Sequence, residues 1–176
     1  GAGYCIYRGQ VQMSHEKGKE PFQKKSIFPH ANALVKVSED GMAAVLMIGA
    51  AEIGQGSDTV LTQMCAESLG IPDSRMRIRS EDSDISPLAL GAYSSRVTLM
   101  AGHAVARAGA AVVDKMRPYA ASLLGCDEAQ VEAHDGRMFV RGAGARLQSR
   151  TSGITWEEVA RKYFNDNGPL IGTGAY

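Results

Sequence analysis

A glycine-rich turn that carries one amide side chain is the first feature capable of chemistry. The sequence reads GAAEIGQGSDT over residues 49–59, after an apolar run and before residues at helical spacing. A strand, a glycine turn and a helix start together direct backbone N–H groups toward an anion. Gln55, however, stands between Gly54 and Gly56, where a Walker-type loop requires lysine followed by serine or threonine. Nucleotide hydrolysis is therefore not expected, and the dinucleotide pattern GxGxxG also fails for lack of a third glycine.

A glutamine between two glycines suits a neutral oxygen ligand, because a carboxamide donates and accepts hydrogen bonds without titrating. A metal–oxo group or a substrate carbonyl would present such an oxygen. The alternative is structural: Gly54 and Gly56 satisfy a tight turn while Gln55 points to solvent. On this turn alone both interpretations stay open.

A second segment, GAYSSRVTLMAG over residues 91–102, combines hydroxyls, free amides and a guanidinium where a long helix begins. These groups make a second candidate anion site, and the residues concerned are Tyr93, Ser94, Ser95, Arg96 and Thr98. The alternative is an ordinary serine cap with a solvated arginine. Two such junctions in one small chain favour a ligand over two unrelated caps.

The remaining polar residues form weaker patterns. The four histidines share no metal-ligand spacing, so exposed or core positions are expected for His15, His30, His103 and His134. The acidic stretch SEDSD, residues 80–84, is typical of a solvated loop, although Asp82 could contact a ligand at the end of a strand. The cysteines are odd in number and far apart, so no zinc site or disulfide framework is expected from Cys5, Cys65 and Cys126. Cys65 falls at a helical core position and is predicted to be a buried thiol.

The bulk composition is that of an ordinary globular protein. The chain has 176 residues, 44% hydrophobic and 22% charged, with 19 basic and 19 acidic side chains. One domain spanning residues 1–176 is expected, with no net field to recruit nucleic acid or acidic lipid. The sequence lacks a membrane-spanning run and a visible secretory signal, and the cysteine usage favours a cytoplasmic location.

Hairpins and amphipathic helices are the elements that must position these residues. ALVKVSEDGMAAVLMIG predicts one hairpin turning at Asp40-Gly41, RMRIRS predicts a short strand, and VEAHDGRMFVR predicts a second hairpin. Together with three helices they give the order β-β-α-β-α-β-β-α. We therefore expect an α+β fold, a two-layer sandwich of a mixed or antiparallel sheet with helices. GPLIGTGAY, at the C-terminus, is interpreted as an exit segment, and GAGYCIYRG, at the N-terminus, as a strand.

Each helix has recognisable ends. The first begins at Ser57 or Asp58, which is expected to cap it, buries a stripe that includes Val60, and ends at Gly70. The second is expected over about residues 95–124, with an alanine- and glycine-rich face and a kink or a new turn at Pro118. The third opens with the capping box Thr155 and Glu158 and runs to about residue 165.

With both motifs in view, the sequence resembles a known family. GAAEIGQGSDTVLTQMCAESLGI followed by SEDSDISPLALGAYSSRVTLMAGHAV is similar to the molybdenum-cofactor-binding large subunit of the xanthine dehydrogenase and aldehyde oxidase family, and GAYSSRVT resembles its 4-hydroxybenzoyl-CoA reductase branch. The resemblance covers about residues 27–113 well and the flanks loosely. Two motifs in the same order, with a helix and a strand between them, are fairly specific.

The resemblance implies a role for each matching residue. Gln55 corresponds to the catalytic-site glutamine whose amide hydrogen-bonds the oxo ligand of molybdenum, and Gly54 and Gly56 would let the backbone approach the cofactor. The segment that wraps the pterin, its dithiolene and its phosphate arm corresponds to Tyr93, Ser94, Ser95, Arg96 and Thr98. No protein side chain is expected to ligate the metal, because the pterin sulfurs do so.

The same resemblance implies cofactors and partners. The cofactor would be a molybdenum-pterin group, as molybdopterin or its cytosine dinucleotide. Iron–sulfur clusters and FAD would lie on partner subunits or domains, beside the rest of the large subunit. The substrate would be a small aromatic, purine, aldehyde or CoA thioester.

The sequence also departs from the family. The catalytic glutamate and a glycine-phenylalanine loop have no match here, so the chain is expected to be a fragment of the large subunit that is inactive alone. A non-catalytic structural or interaction domain that retains the fold is the alternative. An anion-binding regulatory module is a third and weaker hypothesis.

Overall fold

The computed structural model describes residues 31–93, 95–142 and 153–176. Its strands and helices are β1 (Asn32–Val37), β2 (Ala44–Ile48), α1 (Ser57–Leu69), β3 (Met76–Ser80), α2 (Gly102–Leu124), β4 (Val131–His134), β5 (Arg137–Val140), β6 (Ile154–Thr155), α3 (Trp156–Asn167) and β7 (Ile171–Ala175). A π-helical turn, Val97–Ala101, leads into α2. The predicted element order is present, with β6 and β7 in addition. The predicted N-terminal strand, Cys5, His15, His30 and Ser94 lie outside the described residues.

The larger sheet has the strand order β3-β2-β1-β7. β1 pairs antiparallel with both β2 and β7, whereas β2 pairs with β3 in parallel, because α1 forms the crossover between them. Helices cover one face of this mixed sheet. The α+β prediction is therefore confirmed.

Alternation in the sequence explains the β1–β2 hairpin. Val35 pairs with Leu46, and the buried residues alternate along both strands, so one face of the hairpin enters the core. The turn lies where it was predicted. Gly41 adopts a φ of 72° there, and the Asp40 carboxylate accepts hydrogen bonds from Ser38 Oγ at 2.6 Å and Met42 N at 2.9 Å.

The C-terminal segment, interpreted above as an exit segment, forms strand β7 of the sheet, which the sequence did not predict. β7 lies between β1 and the backbone of α2, and a Cβ added at Gly172 or Gly174 would overlap carbonyl oxygens of that helix. Glycine in a strand marks such a close approach. The same glycines lower the strand propensity of GPLIGTGAY, which is why local sequence hid the strand.

Helix α2 provides most of the cover for the sheet. Its buried face is the predicted small-residue stripe, which includes Ala104, Ala108 and Val112. The helix continues through Pro118 to Leu124, so no new helix starts at the proline. Among the described residues, no helix combines the length and apolarity that crossing a bilayer requires.

Helix α1 packs beside α2 and buries Leu61, Cys65 and Leu69. The predicted stripe was wrong at Val60, which is 38% exposed at the edge of the stripe. Gly70 ends the helix in the left-handed conformation, as predicted, with its N–H directed to the carbonyls of Ala66 and Glu67. Burial raises the pKa of the Cys65 thiol to about 12, consistent with the predicted structural cysteine.

A smaller sheet, β4-β5-β6, and helix α3 complete the described structure. The second hairpin turns at Asp135 and Gly136, both at positive φ, as its Asp-Gly sequence predicts. Thr155 caps α3 by accepting a hydrogen bond from Glu158 N at 3.3 Å. Trp156 is fully buried, and its indole N–H donates to the Leu69 carbonyl at 3.1 Å, which joins α3 to the end of α1.

Candidate functional site

The two motif-bearing loops leave the sheet from the same edge. β2 and β3 are parallel neighbours, and their last residues, Ile48 and Ser80, face each other in the register. The loop after β2 contains the Gly-Gln-Gly turn (Gly54–Gly56), and the loop after β3 leads to the segment at residues 93–98. Ligands of α/β sheets bind at the carboxyl ends of parallel strands. The fold thus places both motifs at a position suited to a shared ligand.

Direct contacts hold the two loops together. A Cβ added at Gly49, where the first loop starts, would overlap the Pro87 carbonyl oxygen and lie 3.0 Å from Ala89 N in the second loop. Ser80 Oγ donates to Asp58 Oδ2 at 2.9 Å, which joins the end of β3 to the start of α1. The second loop therefore lies against the base of the first.

The helices that follow the loops also begin at the same end. Gly102 of α2 faces Met64 of α1, and Gly109, two turns further along α2, faces Ser68, one turn further along α1, so the two helices run in the same general direction. A Cβ at Gly109 would lie 2.7 Å from Ser68 Cβ, which shows how closely the backbones approach. The amide-rich starts of α1 and of the π-helical turn are consequently on one side of the molecule.

The Gly-Gln-Gly turn is open to an incoming group. Gly54 and Gly56 adopt φ values of 94° and 77°, and no heavy atom lies within 4 Å of a Cβ added at either glycine. Glycine is thus required here for conformation, because side chains rarely adopt such angles. The empty space beside both residues lets a bulky ligand approach the backbone.

Gln55 is exposed, and its carboxamide is bonded to its own loop. Its Oε1 accepts a hydrogen bond from Ile53 N at 2.6 Å, and its Nε2 donates to Ala51 O at 2.9 Å and to Ser57 Oγ at 3.0 Å. Both amide protons are therefore used, whereas Oε1 keeps a second lone pair. An external oxygen acceptor would have to replace one of the two Nε2 bonds.

The helix-start amides are already occupied, which sequence reasoning missed. The Glu52 carboxylate accepts from Gly54 N at 2.8 Å and Gly56 N at 3.0 Å through Oε1, and from Asp58 N at 3.0 Å through Oε2. The predicted cap of α1 by Ser57 or Asp58 was therefore wrong: Gly56 is the N-cap residue, without a side-chain hydrogen bond of its own. The sequence signal that could have identified this cap is Glu52, an acidic residue just before the glycine turn that opens the helix.

These bonds fix the charge of the glutamate. The hydrogen bond from Asp58 N is the largest cause that lowers the pKa of the Glu52 carboxyl below its usual value. Desolvation opposes it, and the bonds from Gly56 N and Gly54 N add to the lowering. Glu52 is thus ionised at neutral pH. A negative charge at the start of α1 is also favoured by the helix dipole.

The second segment combines exposed hydroxyls with a buried arginine. Arg96 is 4% exposed, with Nη1 3.4 Å from Tyr93 Oη and its guanidinium carbon 5.3 Å from the centroid of the Tyr93 ring. Ser95 has a φ of 54° and is exposed, as is Thr98. Tyr93, itself 48% exposed, therefore lies between Arg96 and solvent. The arginine is part of the protein interior here, in contrast to the solvated cap considered as the alternative.

The other candidate residues make local contacts of their own. In the described ranges, no group of three or more histidine, cysteine, aspartate or glutamate side chains could hold a metal ion. His103 is exposed and stacks on Tyr176 at a ring-centroid distance of 4.6 Å, and His134 is exposed in the β4–β5 hairpin. Asp82 organises its own loop by accepting from Asp84 N at 3.1 Å.

Comparison with protein-family models identifies the whole chain. Residues 1–176 match the model described as molybdopterin cofactor-binding domain. Among curated proteins, the chain is 32% identical over 142 residues to the 6-hydroxypseudooxynicotine dehydrogenase complex subunit gamma of Paenarthrobacter nicotinovorans, covering 81% of this chain and 18% of that protein. It is 40% identical over 95 residues to the putative xanthine dehydrogenase molybdenum-binding subunit XdhA of Escherichia coli K12, covering 53% and 12%.

Solved structures give the same result. Quinoline 2-oxidoreductase from Pseudomonas putida 86 superposes with a TM-score of 0.71 at 28% identity, over 84% of this chain and 19% of that one. Carbon monoxide dehydrogenase from Oligotropha carboxidovorans gives 0.69 at 28% identity, over 83% and 18%. The chain therefore spans less than a fifth of each of these relatives.

Proposed function

Because the chain belongs to the molybdopterin cofactor-binding domain family, we propose that its two loops form one wall of the molybdenum-pterin site in a molybdenum hydroxylase-type oxidoreductase. The observation that carries this proposal is the common edge of β2 and β3. It brings the open Gly-Gln-Gly turn and the hydroxyl-bearing segment at residues 93–98 to one side of the sheet. The relatives support it by name: one is a subunit of a dehydrogenase complex, and another is a putative molybdenum-binding subunit of xanthine dehydrogenase.

The residues present fit such a group. The backbone at Gly54 and Gly56 is open to a bulky ligand. Buried Asp58 Oδ1 has no hydrogen-bond partner within the described part of the chain, so an acceptor is available for the N–H donors of a pterin. Ser95 and Thr98 offer exposed hydroxyls to polar atoms of the cofactor.

Each residue then has a distinct task. When bound, the molybdenum-pterin group supplies the oxidation and reduction chemistry. Gln55 would exchange an Nε2 bond within its loop for a hydrogen bond to that group, which would orient the group without adding charge. Gly54 and Gly56 would let the cofactor approach the backbone closely. The segment at residues 93–98, which includes Ser94, would hold the pterin and its phosphate arm. A lysine in place of Gln55 would add a positive charge beside the reacting atoms.

The remaining details of the proposal extend beyond this chain. The cofactor is molybdopterin or its cytosine dinucleotide, and the rest of the large subunit supplies the catalytic glutamate. Iron–sulfur and FAD-containing partners carry the electrons in a cytoplasmic complex, and the isolated chain is inactive. GAYSSRVT supports the 4-hydroxybenzoyl-CoA reductase branch, with an aromatic CoA thioester as substrate; purines, aldehydes and small heteroaromatic compounds are the other candidates.

The test uses the complete subunit, produced with its partner subunits. Gln55→Ala is compared with Gln63→Ala, which removes an exposed glutamine of α1 two turns away from the loop. Molybdenum is measured by elemental analysis, pterin by fluorescence after oxidation, and turnover on purine, aldehyde, heteroaromatic and aromatic CoA-thioester substrates. We expect Gln55→Ala to lower turnover by about 10–100-fold, the range for partners that orient metal ligands, and Gln63→Ala to have no effect.

Two results would contradict the proposal. Equal activity of the two glutamine variants would remove Gln55 from the site. A wild-type complex that contains neither molybdenum nor pterin would favour the non-catalytic structural or interaction domain. Substitution of Ser95 and Thr98 by alanine is expected to lower the pterin content, which tests the second loop separately.

A further inference from the structure

The contacts of Glu52 surround Gln55 from both sides. One oxygen, Oε1, accepts from the amides of the residues immediately before and after the glutamine, Gly54 at 2.8 Å and Gly56 at 3.0 Å. The other oxygen, Oε2, accepts from Asp58 N at 3.0 Å and lies 3.4 Å from Ser57 Oγ. A single carboxylate thereby joins the turn to the first residues of α1.

The glycines make this constraint necessary. At φ values of 94° and 77°, Gly54 and Gly56 occupy a region where glycine has more conformational freedom than any other residue. No neighbouring side chain lies within 4 Å of a Cβ added at either position, so packing does not hold the turn. Hydrogen bonds must therefore define its conformation, and both glycines donate one to Glu52.

The carboxylate also determines which ligands the turn accepts. Amides at a helix start attract anions, but Glu52 already neutralises those of Gly54, Gly56 and Asp58. An incoming phosphate would meet a negative charge at this position. The turn is thus left with the Gln55 carboxamide as its polar group, which matches a neutral oxygen.

We propose that Glu52 is a positioning residue, which clamps the Gly-Gln-Gly turn through three backbone amides and excludes anions from it, so that the Gln55 carboxamide is presented to an uncharged oxygen. The consequence for turnover rests on the function proposed above for Gln55. The clamp itself depends only on the contacts within this chain.

The experiment compares Glu52→Ala and Glu52→Gln in the complete subunit with its partners. Glu67→Gln is the matched control, because it removes the charge of an exposed glutamate on the same helix. Hydrogen exchange is followed by mass spectrometry in peptides spanning residues 51–60, with peptides from β2 and α2 as internal references. Molybdenum content, kcat and KM are measured on the same preparations.

We expect amide exchange over residues 51–60 to accelerate by about tenfold in Glu52→Ala, because the substitution has the effect of removing a helix cap. Exchange in β2 and α2 should not change. Glu52→Gln keeps one acceptor oxygen for Gly54 and Gly56 and loses the bond to Asp58 N, so its exchange should be intermediate. Molybdenum content should be retained. In Glu52→Ala kcat should fall while KM stays within about twofold, because the turn orients a group without binding substrate.

The outcomes separate the two proposals. If exchange in Glu52→Ala or in Glu52→Gln equals that of the wild type, the carboxylate does not clamp the turn and this inference is overturned. A fall in turnover without faster exchange would overturn it too. If Glu52→Ala loosens the turn but Gln55→Ala retains full activity, the clamp is confirmed and the function proposed for Gln55 fails.

Discussion

The contact between the two site loops can be tested at Gly49. Its φ is not positive, so alanine is tolerated by the backbone, and the consequences of Gly49→Ala are steric. The new methyl group would overlap the Pro87 carbonyl oxygen and lie 3.0 and 3.1 Å from Ala89 N and Cβ. Carbon contacts are optimal near ~3.5–4.0 Å, and the Pro87 oxygen would lie only 2.2 Å from the new methyl carbon, so the second loop must shift by about 1 Å or more.

Overpacking of this kind costs about 1–3 kcal/mol. In a chain of this size, that corresponds to a fall in melting temperature of about 2–4 °C per kcal/mol. Trp156 is the one tryptophan of the sequence and is fully buried, so its fluorescence reports unfolding in urea. In the complete subunit, the same substitution should lower molybdenum and pterin content, because it separates the second loop from the Gly-Gln-Gly turn.

Gly102→Ala is the matched control for this substitution. Its added methyl group would meet the end of the Met64 side chain, with Cε at 2.6 Å and Sδ at 3.0 Å, and that end can rotate away. Exchanging glycine for alanine inside a helix contributes about 1 kcal/mol of stability. The reasoning is refuted if Gly49→Ala is as stable as the wild type, or if both variants lose cofactor equally.

Two further substitutions and two properties of Cys65 test the core. Gly174→Ala should destabilise the chain by about 1–3 kcal/mol, since the methyl group would enter the backbone of α2; unchanged urea unfolding would contradict the β7–α2 packing. Trp156→Phe should cost about 1–3 kcal/mol, because the buried Leu69 carbonyl loses its donor, as measured by circular dichroism. Cys65, with its pKa raised to about 12, should resist thiol reagents until the chain unfolds, whereas half-buried Cys126 reacts first. The unfolded chain loses the Cys65 proton near pH 9, whereas the folded chain keeps it to about pH 12. The free energy of unfolding should therefore be unaffected by this group below pH 9 and fall as pH rises from 9 toward 12. A free energy of unfolding that stays constant over this range would contradict the prediction.

Local rules predicted most elements of the fold. The period-2 pattern of β1 and β2 and the two Asp-Gly turns identified both hairpins, and the glycine after Leu69 identified the end of α1. These features depend on residues a few positions apart, so the sequence is sufficient to read them. β7 could not be found in this way, because its glycines are explained by the distant helix that they contact.

The candidate site likewise has features that the sequence predicts and features that it does not. Gly54, Gln55 and Gly56 are recognisable from residue types alone, since a neutral amide between two glycines excludes the chemistry of a nucleotide-binding lysine. Neither the occupation of the helix start by Glu52 nor the burial of Arg96 beneath Tyr93 follows from spacing. Many side chains could reach those positions, and the folded backbone selects among them.

The sequence by itself excluded a Walker-type nucleotide-binding loop, because the presence of a carboxamide and the absence of a lysine are properties of single residues. Only the tertiary structure decided that both loops share one edge of the sheet, through the parallel pairing of β2 with β3. It also decided that the anion at the start of α1 belongs to the protein. The shared edge and the position of this anion depend on contacts that form only when the crossover through α1 brings β3 beside β2. No local sequence pattern specifies that pairing.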